Sequence, residues 1–124
     1  MTPARWLVLL GSIVLFCAGL LHLLGYPHIF PVLHAAGLNP QLIGALLALW
    51  ASFSVQFVVL SSALVWISWR PRARTLLLFL ALVPAANAAL MYHFIGPFIG
   101  AHMVLGGTVL LVAGAWMMPR DQAV

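Results

Sequence analysis

The chain has 124 residues, 65% hydrophobic and 5% charged, with a mean hydropathy of +1.18, whereas soluble domains run at about 45–50% apolar and about 25% charged. Its only formal charges are Arg5, Arg70, Arg72, Arg74, Arg120 and Asp121. A lone carboxylate excludes paired glycosidase acids and a calcium or magnesium oxygen cage, the absence of lysine excludes a Schiff base, and the single Cys17 excludes an internal disulfide or Cys-x-x-Cys motif.

A helix needs about 20 mostly apolar residues to cross about 30 Å of hydrocarbon. Four stretches meet that length, at about 6–25, 41–69, 74–93 and 98–118. Their continuous apolar character lacks the in–out alternation of a membrane barrel. The first has one positive charge before an apolar run of about 20 residues, longer than the 7–15 of a signal h-region, so it is expected to remain as a span. Between spans one and two, Pro27, Pro31 and Asn39-Pro40 predict a broken outer loop, because proline removes a donor and disfavours helix in its predecessor.

Gln56 lies mid-way along the second span and Asn87 at matching depth in the third, each 13 residues from the arginine-flanked end. They are expected to form an intramembrane polar pair, as an interhelical hydrogen bond or as a polar stop in a substrate path. Ser52, Ser54, Ser61 and Ser62 are expected to bond back to their own helix. Arg70-Pro71-Arg72 predicts a tight turn that makes spans two and three antiparallel neighbours. Pro84 predicts a kink inside span three. Gly96-Pro97 predicts the last turn.

All five arginines fall on one side of this arrangement, with Trp6, Trp66, Trp69 and Trp116 at the same boundary. The positive-inside rule then makes both termini cytoplasmic. Tyr26, Phe30, Tyr92, Phe94 and Phe98 mark the opposite boundary. The basic balance reads as topology and contact with anionic lipid headgroups, not nucleic-acid binding. Small residues mark packing faces in lipid: Gly11, Ala18 and Gly25 in span one, Ala81, Ala85 and Ala89 in span three, and Gly100, Gly107 and Gly114 in span four. Leu110 is expected on the lipid side. The fold expected is all-α: a single domain over 1–124, a four-span transmembrane helix bundle in a bacterial cytoplasmic (inner) membrane.

The five histidines, His22, His28, His34, His93 and His102, all map to the half away from the arginines. His22, His93 and His102 lie at nearly one depth, within about 5 Å at 1.5 Å per residue. Neutral imidazole ligates zinc, copper and haem iron, and methionine sulfur favours Cu(I). The expected site is therefore a transition-metal or b-type haem site near the outer face. Its metal ligands are drawn from His22, His34, His93 and His102, with Met91 and Met103 nearby; His22, His93 and His102 would hold a haem. His28 is the expected bystander. The expected role is metal handling or electron transfer, with haem b, copper or zinc as the candidate cofactors. Two other classes fit the same composition: a non-catalytic accessory or structural subunit of a larger membrane complex, and a small carrier working as a homodimer. An enzyme fits least, because Asp121 and the histidines fall on opposite sides and no H-E-x-x-H motif occurs.

Overall fold

The computed structural model describes residues 1–70 and 73–119. Pro71 and Arg72 of the expected arginine turn, together with Arg120 and Asp121, lie outside the described residues. The protein is about 85% helical, with no strand among the described residues. In chain order the helices are α1 (Pro3–Leu24), α2 (Tyr26–Ala35), α3 (Pro40–Ser68), α4 (Ala73–Leu80), α5 (Leu82–Phe94) and α6 (Ile99–Trp116). Counting α4 and α5 as one bent span, four helices are long and apolar enough to cross a membrane. This is the architecture of an integral membrane protein.

Local chemistry accounts for the helix ends. Pro3 sits in the first turn of α1 and Pro40 in that of α3, where the missing N–H has no intrahelical partner to lose. Asn39 caps α3, its Oδ1 accepting from the Leu42 amide at 2.8 Å. Gly37 and Gly96 take positive φ, at 68° and 91°, which only glycine adopts without steric cost. The proline-rich segment after α1 is a helix rather than the loop its sequence predicts. Pro27 occupies the first turn of α2, so Pro31 alone breaks its hydrogen-bond ladder. No residue of α2 is buried.

The bend in span three is centred on Ala81, three residues before Pro84. Proline lacks the N–H that would reach the carbonyl four residues back, Leu80, and its ring crowds that carbonyl. The ladder resumes on both sides, with Ala81 N donating to Leu77 O at 2.9 Å and Ala85 N to Ala81 O at 3.1 Å.

Packing centres on α1, whose two main neighbours are α6 and α3. Glycine makes both approaches possible. A Cβ on Gly11 would lie 2.7 Å from the Gly107 carbonyl, and one on Gly114 would lie 2.7 Å from the Ala4 carbonyl. On the other side of α1, a Cβ on Gly19 would meet the Phe57 side chain at 2.9 Å. The expected glycine stripe thus forms the α1–α6 seam through Gly107 and Gly114. Gly100 departs from it and faces only the Phe98 ring. In span three the buried line is Ala81, Pro84 and Ala88, while Ala89 is exposed. Leu110 also departs from its expected lipid position. Its Cβ sits beside Gly11 in the α1–α6 seam.

Most hydroxyls bond back to their own helix as expected, including Ser52 to Ala48, Ser61 to Phe57 at 2.7 Å and Ser62 to Val58 at 2.9 Å. Ser54 is the exception: its Oγ is buried with no partner among the described residues.

At one end of the bundle α4 packs on both α3 and α6, closing the ring of helices. Arg5 lies over the Trp69 ring, Arg70 over Trp66 and Arg74 over Trp116, at 5.4, 4.2 and 5.0 Å. These cation–π contacts join the start of α1, the end of α3, the start of α4 and the end of α6 at a single boundary. Beyond the bend, α5 packs on α6, and a groove separates it from α3.

Candidate ligand groove

The groove lies between α1, α3 and α5 in the half of the bundle away from the arginines. It has a volume of about 480 Å³, inside the range of about 300–1,000 Å³ usual for small-molecule sites. A second hollow of about 210 Å³ reaches inwards towards α6. The two share His22, Trp50, Phe53, Met91 and Phe98, so they form one continuous space. Asn87 lines the outer part, and Met103 and Val104 the inner part.

His22 is the polar centre of this space. It sits in the last turn of α1, where carbonyls lose their intrahelical partners. Its own carbonyl accepts from the Gly25 amide at 3.1 Å and from the Trp50 indole Nε1 at 2.8 Å. That indole bond holds the Trp50 ring nearly parallel to the His22 imidazole, with centroids 3.9 Å apart and planes 17° apart. Phe53 packs against the imidazole at 4.6 Å, tilted. Gly25 is part of the arrangement, because a Cβ there would lie 3.0 Å from the Trp50 ring. The imidazole is therefore oriented by stacking, and no group among the described residues hydrogen-bonds to its ring nitrogens. They remain available to a ligand.

Asn87 supplies a second polar group. Its Nδ2 donates to the Val83 carbonyl of its own helix at 2.9 Å, leaving the amide oxygen for another donor. Gln56, its expected partner, is exposed instead. The two therefore form no hydrogen bond: α5 has α6 rather than α3 as its main neighbour, and Asn87 turns its amide back onto the helix backbone.

The histidines do not converge. No group of three histidine, cysteine or acidic side chains among the described residues is placed to hold a metal ion. His34 donates through Nδ1 to the Phe30 carbonyl at 2.9 Å and packs on the Phe30 ring, because its segment is helical and sets the two residues four apart on one face. His102 donates in the same way to the Phe98 carbonyl at 2.6 Å, with its ring edge-on to Tyr92. His93 stands edge-on to Phe94 and is exposed, as is His28. Equal depth along the membrane normal says nothing about direction around each helix axis, and the helix rotations send these rings apart. Of the expected ligand set, the groove brings together His22, Met91 and Met103.

Sequence reasoning missed Trp50 and Phe53. The signal for Trp50 was present, since it is the one tryptophan of five far from the arginine boundary. A part-buried indole N–H in a membrane requires an acceptor, and Trp50 finds one in a last-turn carbonyl of a neighbouring helix. No family model, curated protein or solved structure matches this chain.

Proposed function

We propose that this chain is a membrane-embedded binding protein that takes a flat, lipid-dissolved ligand into the groove, with His22 as its polar contact. The observation that carries this reading is the imidazole itself: stacked on Trp50, facing a space of about 480 Å³, with no partner for its ring nitrogens among the described residues. An unpaired polar group inside a bilayer is costly, and a ligand that hydrogen-bonds or coordinates it offsets that cost. The metal-handling reading narrows accordingly. His22 with Met91 or Met103 is the remaining pair for a b-type haem or a soft metal, in place of a cluster of four histidines.

In the same reading the arginine end faces the cytoplasm, under the positive-inside rule, and the groove belongs to the outer leaflet of a bacterial inner membrane. The test is direct. The protein is purified in mild detergent, extracted with organic solvent, and the extract examined by absorbance and mass spectrometry. Wild type is expected to retain a ring-bearing molecule near one equivalent, and a His22→Leu, Trp50→Ala variant to lose it. An extract equally empty for both, with no binding on reconstitution, would favour the accessory-subunit reading.

A further inference from the structure

We infer that the groove binds the uncharged ring of a quinone-type lipid, a carbonyl of the ring accepting a hydrogen bond from the His22 imidazole. This rests on the binding reading above and names the ligand class. Charge decides first. None of the groove's lining residues is charged. The described arginines Arg5, Arg70 and Arg74 are engaged with tryptophans at the opposite end. A haem carries two propionates, and an anion in hydrocarbon needs a cationic or hydrogen-bonding partner, which this groove does not supply as a charge. A neutral ring has no such requirement.

Access decides next. The rim is formed by Leu49, Leu90, Phe94 and Ile95, exposed by 68%, 55%, 75% and 70%. These apolar side chains lie on the perimeter of a membrane bundle, so the mouth opens to acyl chains. A ligand with a long hydrocarbon tail enters from the bilayer and leaves its tail along α3 and α5. Inside, Trp50, Phe53 and Phe98 present aromatic faces and edges to a planar ring.

The polar groups match a ring that carries oxygen. Imidazole is a donor at one nitrogen and an acceptor at the other when neutral, so it serves a ring carbonyl or a ring hydroxyl. The amide oxygen of Asn87, on the opposite wall, accepts from a hydroxyl. A quinone and its quinol therefore both find a partner in the same groove.

The experiment uses the full chain in lipid nanodiscs and reads the saturable part of tryptophan quenching by a short-tailed 1,4-benzoquinone. Trp50→Phe identifies the part arising in the groove. An alkylbenzene with the same tail but no carbonyls, and hemin followed by its Soret band, serve as comparison probes. The expected result is saturable quenching in wild type that is lost in Trp50→Phe. His22→Leu should weaken quinone binding at least tenfold and leave alkylbenzene competition unchanged, while His22→Gln, which keeps a donor, should restore binding to within a few-fold. Equal binding of quinone and alkylbenzene, insensitive to His22, would overturn the quinone inference and leave the groove reading intact. So would stoichiometric hemin binding that depends on His22 and is not displaced by quinone. Saturable binding of none of the three probes, with nothing retained on purification, would overturn the groove reading itself. His22→Gln also covers the case in which His22→Leu fails to fold.

Discussion

At Gly107 there is no room for a side chain: a Cβ would come within 2.9 Å of the Leu15 side chain and 3.1 Å of the Gly11 carbonyl. Gly107→Leu is therefore expected to force α1 and α6 apart, at a cost of about 1–3 kcal/mol or more. Val109, two residues along α6 and 58% exposed, is the matched control, and Val109→Leu should be nearly silent. Thermal unfolding in detergent checks both, and equal midpoints for the two variants would remove the seam. The spacing of Gly107 and Gly114 made this seam legible, because close backbone approach requires the absence of a side chain wherever it occurs. Leu110 and Ala89 were not legible in the same way. Which residues beside a small-residue stripe face lipid depends on how far each helix is rotated about its axis, and local spacing leaves that rotation open.

Pro84 acts at the scale of an element. By ending one hydrogen-bond ladder before another begins, it separates α4, which packs on both α3 and α6, from α5, which keeps α6 as its main neighbour and stands off α3. The groove occupies the gap that results. Pro84→Ala restores the N–H for the Leu80 carbonyl and is expected to straighten the span. Spin labels at positions 49 and 90, on opposite rims of the groove, should then move closer, and affinity for a groove ligand should fall about tenfold or more. Unchanged label distances would show that packing rather than proline sets the bend. The kink was predictable from proline chemistry. Its consequence for the partner helix was not, because only the neighbours of α5 determine where the bent half goes. The segment after α1 makes the converse point. Two prolines four residues apart predicted a loop, yet one falls in a first turn where it costs nothing, and the remaining break is tolerated in a helix of ten residues.

At the scale of the whole molecule, the starts of α1 and α4 and the ends of α3 and α6 meet at one boundary marked by arginine–tryptophan contacts. In the proposed reading, the positive-inside rule puts that boundary on the cytoplasmic side. A reporter active in the cytoplasm, fused after Val124, and one active outside it, inserted near Gly37, are both expected to give signal. Activity of the opposite pair would reverse the orientation and place the groove in the inner leaflet.

The sequence by itself determined the class, the number of spans, the turns near Pro40 and Gly96, the bend at Pro84 and the gathering of Arg5, Arg70 and Arg74 at one end of the bundle. Each of these is a one-dimensional property: run length against membrane thickness, proline and glycine geometry, and the cost of moving a guanidinium through hydrocarbon. The site required the third dimension. Five histidines at the far end suggested convergence, but two of them spend their Nδ1 protons on carbonyls four residues back in their own helices. His93 is exposed beside Phe94, and His22 acquires its setting from Trp50, 28 positions away in the chain, through an indole bond to its own carbonyl. Only the packing of α3 on α1 brings those two rings together, and only the bend that carries α5 away leaves a space in front of them.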